Sequence, residues 1–270
     1  MNQLHSKGVV ILDFGSQYTQ LIARKVRELN VYSEVLSPDT SLDKIKQCDP
    51  SAIILSGGPS SVFADEAPSF DKNIFNIDVP ILGICYGLQL LAHHHGGSVE
   101  SNGQGEYGFA EINIDDDRKL FQNGSKCSQV WMSHMDRVTK IPEGWHALAH
   151  SSNGVIAAMS NEDQSIVATQ FHPEVSHTKE GKIFLNNFLF KIANCSPNWT
   201  AENFIEEQLE IIRNQVKDDK VIVGVSGGVD STVVAALLHK AIGDQSTAIL
   251  IDHGMLRLNE ATNCVKALKD

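Results

Sequence analysis

The sequence predicts an α/β fold, a largely parallel β-sheet with helices on both faces plus a strand-rich layer. Three observations predict this. Short apolar runs recur through the first 84 positions. Stretches with apolar residues at helical spacing lie between them, and strands alternating with helices form parallel sheets. Between about 97 and 170 the helical spacing gives way to strand-like runs broken by turn residues.

Val9–Leu12 (VVIL) is apolar throughout, as a strand covered on both faces must be. From Tyr18 to Leu29, the residues Leu21, Ile22, Val26 and Leu29 fall on one helical face. Val31–Leu36 is a second strand, Ala52–Leu55 (AIIL) a third and Pro80–Ile84 a fourth, with a helix over Leu88–His95. FAEINI and SIVATQF are strand-like, and the pairs Asn123-Gly124 and Asn153-Gly154 and the stretch Pro142–Gly144 mark turns between strands. KIFLNNFLFKIA, at 182–193, has helical spacing and closes the first domain.

NCSPNWT at 194–200 is a loop, which puts a boundary at about 195–205 and domains at 1–198 and 199–270. Thr200 is a candidate N-cap for a helix over Asn203–Val216. A strand (KVIVGV, from 220), a glycine loop, a helix (VVAALLHKAIG, from 233) and a strand (TAILID, from 247) follow. Two strands bury their helices poorly, so the second domain is expected to be incomplete.

A net charge of −11 with no long basic run argues against nucleic acid and anionic membranes as partners. Five scattered cysteines (48, 85, 127, 195, 264) without a C-x-x-C pair argue against a disulfide framework or cysteine zinc site and suit a reducing compartment. No apolar run approaches the roughly 18–20 residues of a membrane span. MNQLHSK leads into the first strand without a signal-peptide core, so a soluble, cytoplasmic protein is expected.

Gly83–Gly87 reads G-I-C-Y-G directly after a predicted strand. A nucleophile on a tight strand-to-helix turn needs room on both sides, and the helix N-terminus beyond it favours a thiolate. A buried small hydrophobe remains the alternative reading of Cys85. A nucleophile needs a base and an orienting group. F-H-P-E at 171–174 supplies His172 and Glu174, two apart at a strand end and so on one side; the alternative is a solvated loop. S-G-G-P at 56–59 offers backbone N–H groups at Gly57 and Gly58, and Tyr86 N–H follows the nucleophile. Together they suit an oxyanion hole, with a plain turn as the alternative for S-G-G-P. His93, His94 and His95 are consecutive on a helix and point in three directions, which disfavours a shared metal.

G-I-C-Y-G-L-Q, S-G-G-P and F-H-P-E, in one chain, resemble a class I glutamine amidotransferase domain over roughly residues 7–195. The resemblance implies that Cys85 attacks the carboxamide of glutamine, that His172 and Glu174 complete the triad, and that Gln89 and the S-H-M-D segment with Ser133 and His134 help hold glutamine. V-S-G-G-V-D-S-T at 225–232 follows a strand and opens a helix, an anion cradle without the lysine of a Walker loop. It resembles the pyrophosphate loop of N-type ATP pyrophosphatases, a Rossmann-like fold. The matching residues are Ser226, Gly227, Gly228, Val229, Asp230, Ser231 and Thr232. I-D-H-G-M-L-R at 251–257 resembles a nucleotide-lining segment of the same family.

The two halves in this order, with D-F-G-S-Q-Y-T-Q and H-M-D-R-V, resemble the glutamine-hydrolysing GMP synthetase family. That implies glutamine, ATP with Mg2+ and xanthosine monophosphate as substrates, no permanent prosthetic group, and a homodimer formed through a C-terminal domain that this sequence lacks. The chain alone is then expected not to complete GMP synthesis, and no magnesium ligand is assigned. A glutaminase of the carbamoyl phosphate or anthranilate type is the alternative, disfavoured by the S-G-G-V-D-S-T loop. A non-catalytic module that binds nucleotide or a partner chain is another, disfavoured by the intact Cys85, His172 and Glu174.

Overall fold

A computed structural model describes residues 7–64, 67–101, 105–252 and 254–267. Residues 1–6 of the N-terminal reading and His253 of the 251–257 segment lie outside the described residues. The chain divides into two compact units, Met1–Trp199 and Thr200–Asp270.

The first unit is built on strands β1 (Val9–Leu12), β2 (Ser33–Leu36), β3 (Ala52–Leu55), β4 (Ile81–Ile84), β5 (Ser98–Glu100), β6 (Glu106–Ile114), β7 (Cys127–His134), β8 (Arg137–Lys140), β9 (Trp145–Ser151), β10 (Ile156–Asn161) and β11 (Ile166–Thr169). Its α-helices are α1 (Thr19–Glu28), α2 (Leu42–Gln47), α3 (Tyr86–His94) and α4 (Gly181–Asn187). One nine-stranded sheet runs β2-β1-β3-β4-β11-β10-β9-β6-β7. The pairs from β2 through β11 are parallel, and those from β11 through β7 are antiparallel.

The central strands are apolar at every position because each face has its own core. Val9 and Ile11 pack with Ile22 and Val26 of α1 and Phe184 and Leu185 of α4. Val10 and Leu12 pack on the opposite face with Ile45 of α2 and Leu88 and Leu91 of α3. Period-two side chains divide one short run between two cores. Most of the strand-rich stretch (β6, β7, β9 and β10) extends the parallel sheet edgewise, because β11 pairs parallel with β4 on one side and antiparallel with β10 on the other. β5 and β8 form a separate two-stranded ribbon.

Two helices differ from the sequence expectation. α3 begins at Tyr86, directly after the cysteine, not at Leu88. The stretch 182–193 is α4 followed by a π-helical turn over Phe188–Ile192. Asn187 at the junction is buried and donates from Nδ2 to the carbonyls of Leu120 (3.0 Å) and Gln122 (2.7 Å), so its polar group is satisfied in an apolar face.

The second unit contains α5 (Ala201–Val216), β12 (Val221–Val225), α6 (Val229–Ile242), β13 (Ser246–Leu250) and α7 (Glu260–Ala267). Thr200 caps α5, its hydroxyl accepting the Asn203 N–H at 3.2 Å. α6 starts at Val229, four residues before the sequence expectation. β12 and β13 pair in parallel. Parallel strands are normally covered on both faces; here Ile222 is 71% and Ile249 41% exposed.

Candidate active site

β4 ends at Ile84 and α3 starts at Tyr86, so Cys85 alone makes the turn, with φ 54° and ψ −101°. A non-glycine residue there stores about 1–3 kcal/mol of strain. The turn is pinned on both sides. Cys85 N–H donates to the Thr169 carbonyl at 2.7 Å, while the Cys85 carbonyl accepts from the N–H groups of Leu88 and Gln89. The flanking glycines answer crowding rather than dihedral need. A Cβ on Gly83 would lie 2.7 Å from the Gly87 carbonyl, and one on Gly87 would lie 2.5 Å from the Leu55 oxygen. Strand and helix therefore close to backbone contact, and the cysteine is lifted out at their junction.

His172 lies beyond the end of β11 and past a bend at Gln170 and Phe171. Pro173 and Glu174 form a turn, so it is this turn and not the period of an extended strand that sets Glu174 beside His172. The His172 N–H donates to the Trp131 carbonyl (3.0 Å), and its own carbonyl accepts the Thr178 hydroxyl (2.6 Å). Nδ1 lies 2.7 Å from Glu174 Oε1, and both side chains are buried. Tyr18 meets the imidazole edge-on, with ring centroids 5.0 Å apart. Burial works against a charge on His172, but the Glu174 carboxylate and the Cys85 sulfur, to which it is also hydrogen-bonded, outweigh burial and lift its pKa to about 10. The imidazole thus carries a proton at neutral pH and can deliver it.

Cys85 Sγ lies 3.5 Å from the Ser133 carbonyl and 3.6 Å from Gln170 Nε2. Gly57 closes the other side: a Cβ there would stand 3.1 Å from His172 Cε1 and 3.6 Å from Cys85 Cβ. Gly58 is pressed against the Phe14 carbonyl, where a Cβ would come within 2.6 Å. Ser56 holds this turn, its hydroxyl accepting Phe14 N–H at 2.9 Å and donating to the Gly57 carbonyl at 2.8 Å. Tyr86 N–H, at the first helical position, has no intrahelical acceptor.

Cys85, His172, Gly58 and Ser133 border a cavity of about 460 Å3 that is also lined by residues 15–18, 59–61, Gln89, Tyr107 and 134–136; Gly57 and Tyr86 stand behind this lining. Gln89 Nε2 donates to the Asp136 carbonyl at 2.8 Å and lies 3.5 Å from Gln170 Oε1. A carbonyl only accepts, so Gln89 turns its amide nitrogen to it. Gln170 then presents its oxygen to Gln89 and its NH2 to the sulfur. Ser133 meets Cys85 through its carbonyl. His134 is buried with both ring nitrogens engaged, Nδ1 to the Asp136 carbonyl (2.9 Å) and Nε2 to Glu106 (3.2 Å). Burial pushes its pKa down against the pull of those two partners. Asp136 Oδ2 is buried without a hydrogen-bond partner.

Sequence reasoning missed Gln170 and Glu106, and it named Asp136 only within the S-H-M-D segment. Gln170 shares strand parity with His172, a signal present in the sequence. His93 packs on Phe63, whereas His94 and His95 meet each other (ring centroids 4.9 Å) and share Phe75, with Trp145 beyond His95, so the three do not point in three separate directions. Among the described residues no group of three His, Cys, Asp or Glu side chains could hold a metal ion.

In the second unit, Gly227 has φ +80° and Gly228 caps α6. The Ser231 hydroxyl accepts Ser226 N–H at 3.1 Å and lies 3.2 Å from Ser226 Oγ, and Thr232 Oγ1 donates to the Gly228 carbonyl at 2.8 Å. Val229 and Asp230 open the helix and are exposed. The loop thus folds over a helix N-terminus whose first N–H groups lack helical acceptors, a setting that suits phosphate oxygens.

The glutamine amidotransferase class-I family matches residues 10–192, and the NAD synthase family matches residues 200–269. The GMP synthase (glutamine-hydrolyzing) of Trichormus variabilis is 48% identical over 268 residues, covering 99% of this chain and 50% of the relative. That of Clostridium tetani is 50% identical over 262 residues, covering 97% and 51%. The chain thus spans about half the length of the curated relatives it matches. A crystal structure described as a GMP synthase subunit from Thermoplasma acidophilum superposes with a TM-score of 0.64 at 30% identity, covering 70% of this chain and 95% of that one. A glutamine amidotransferase from Thermotoga maritima, at 18% identity and a TM-score of 0.52, shares the fold. The class-I match takes in the elbow, the S-G-G-P turn and the F-H-P-E strand end and runs through more than half of the sequence, so this chain belongs to the class-I glutamine amidotransferase family.

Proposed function

We propose that the first unit hydrolyses glutamine and that the second begins the ATP site of a glutamine-hydrolysing GMP synthetase. The observation that carries the first part is Cys85 on a strained elbow, hydrogen-bonded to a buried His172 that is itself paired with Glu174 at 2.7 Å. Cys85 Sγ attacks the carboxamide carbon of glutamine. The oxyanion that forms takes hydrogen bonds from the N–H of Tyr86 and of the Gly57–Gly58 turn. His172 protonates the departing nitrogen, which leaves as ammonia, and a glutamyl thioester remains. Water, deprotonated by His172, then cleaves the thioester to glutamate and releases Cys85 as the thiolate beside a protonated His172. Glu174 holds the imidazole through Nδ1. The unpaired Asp136 oxygen suits the α-ammonium of glutamine. Ser133 shapes the wall through its carbonyl, while Gln89 and His134 hold the Asp136 carbonyl in place.

The second part rests on the relatives' names and on the 226–232 loop. ATP would lay its phosphates on the N–H groups and hydroxyls of Ser226–Thr232 and adenylylate a carbonyl oxygen of xanthosine monophosphate, releasing pyrophosphate. Ammonia then displaces AMP to give GMP. Mg2+ would travel with the nucleotide and neutralise the phosphates. We assign complete GMP synthesis and homodimerisation to a protein of the relatives' full length. A cytoplasmic location belongs to the same proposal; among the described residues no helix is long and apolar enough to cross a membrane.

The test is labelling with a glutamine-derived electrophile, with the adduct located by mass spectrometry. One adduct on Cys85, suppressed by excess glutamine, is expected. Labelling spread evenly over the five cysteines, or indifferent to glutamine, would refute the glutaminase reading.

A further inference from the structure

Glu106 lies directly opposite His134 in the β6–β7 register. Its side chain is 11% exposed and that of His134 is 1% exposed. Glu106 Oε1 accepts from the Ser151 hydroxyl (2.9 Å) and Asn153 Nδ2 (2.8 Å), and Oε2 faces His134 Nε2 at 3.2 Å. On its other side His134 Nδ1 lies 2.9 Å from the Asp136 carbonyl. A carbonyl only accepts, so Nδ1 carries a hydrogen. An ionised carboxylate also only accepts. A neutral imidazole would then aim its remaining lone pair at a carboxylate oxygen, which is repulsive. The arrangement needs one more proton, on the imidazole or on the carboxyl.

We infer that Glu106 is a positioning residue for the glutamine pocket: with His134 it holds one shared proton, and that proton fixes the turn from which Asp136 enters the cavity. The inference rests on the glutaminase reading for the identity of the ligand. The path is short. His134 ends β7, Asp136 precedes β8, and the Asp136 carbonyl is gripped by His134 and by Gln89, one helical turn beyond Cys85. Loss of the proton sets lone pair against lone pair and releases that grip. The charged and titratable groups around His134 are Glu106 from β6, Asp136 from the turn and His172 from beyond β11; Arg137 of β8 lines, with Glu106, a separate pocket outside the Cys85 cavity.

The experiment compares Glu106→Ala and Glu106→Gln in the full chain. The readouts are KM and kcat for glutamine hydrolysis across pH and the glutamine concentration that half-protects Cys85 from the electrophile. Glu106→Ala is expected to raise KM and the protecting concentration roughly tenfold, the effect of one lost charge-assisted hydrogen bond, with a smaller change in kcat. Glu106→Gln can donate its amide N–H to the lone pair of a neutral His134. It is expected to keep KM close to that of the parent chain and to abolish the rise of KM at alkaline pH. An unchanged KM in Glu106→Ala, or an unchanged alkaline rise in Glu106→Gln, would overturn the inference. A second readout needs no turnover. Isotope-edited NMR should show a His134 titration, assigned by its loss in His134→Gln, that shifts in Glu106→Gln, whereas a His134 titration unchanged in Glu106→Gln would overturn the shared proton. A chain that shows this shift but is not protected by glutamine would refute the glutaminase reading alone.

Discussion

Gly87→Ala tests the elbow most directly. The new Cβ would stand 2.5 Å from the Leu55 carbonyl oxygen and 2.9 Å from Leu55 Cβ, distances that real contacts do not adopt. Backbone has to move on one side or the other. Overpacking of this kind costs about 1–3 kcal/mol. Replacing glycine by alanine near the start of a helix returns up to about 1 kcal/mol. The net expectation is a loss of about 0–3 kcal/mol, a fall in Tm of up to roughly 12 °C for a unit of this size. The functional loss should be larger than the stability loss. Leu55 ends β3, and Ser56, Gly57 and Gly58 follow it, so displacing Leu55 moves the proposed oxyanion turn relative to Cys85. A misplacement near 1 Å costs on the order of 100-fold in rate. The assay pairs thermal unfolding with the rate of Cys85 labelling and of glutamine hydrolysis. Gly224→Ala is the control, because a Cβ there meets nothing within 4 Å. Full activity together with an unchanged Tm in Gly87→Ala would refute the claim that strand-to-helix contact shapes the elbow.

Three further predictions follow from the same geometry. The His172 pKa is raised from 6.5 to about 10, so its contribution to stability is complete below about pH 6.5 and is lost as pH rises through 10; urea unfolding across that window should show the loss, and Glu174→Gln should flatten it. Gln170→Ala removes the amide that faces the Cys85 sulfur at 3.6 Å and should slow Cys85 alkylation roughly tenfold, whereas an unchanged rate would remove Gln170 from the site. Gly227→Ala forces a Cβ into φ +80°, which costs about 1–2 kcal/mol, and should weaken ATP binding in a nucleotide titration by about tenfold; equal affinity would count against the loop as a phosphate cradle.

The parts that could be read from the sequence are those in which one short segment holds the whole signal. VVIL, AIIL and PILGI are apolar on both faces and became central strands. The glycines around Cys85 and the two-residue spacing of His172 and Glu174 are equally local. What escaped depends on partners distant in the chain. Alternating polarity tells that a strand has one dry face but does not name its neighbour, so the 97–170 stretch could not be placed at the edge of the parallel sheet. α2 buries only Ile45 in its six residues, too little for a periodic pattern. The helix after Cys85 was started late because Tyr86 and Gly87 carry no apolar period, although the turn leaves the helix nowhere else to begin. Glu106 is 28 residues from His134, and only the β6–β7 register joins them.

The position of the cavity follows from topology. From β1 the chain crosses to β2 on one side, and the next strand, β3, pairs with β1 on the other, so the connections leaving β1 and β3 diverge. Parallel sheets bind ligands in the crevice outside such a switch point, at the carboxyl ends of the strands. Residues 15–18 follow β1 and residues 58–61 follow β3, and both line the cavity. β4 and β11 continue the parallel order, so Cys85 and His172, placed just beyond their ends, reach the same edge. A fifth contribution has to come from elsewhere, because the buried carboxylate that follows the parallel strands, Glu174, is engaged by His172 Nδ1. The antiparallel half supplies it: β7 runs into a tight turn before β8 and brings the Ser133 carbonyl and Asp136 to the sulfur's side of the cavity. In the proposed glutaminase the strand-rich extension therefore supplies the carboxylate that would meet the ammonium group of glutamine. Replacing Asp136 by Asn should weaken protection of Cys85 by glutamine while leaving its reaction with a small uncharged alkylating agent unchanged.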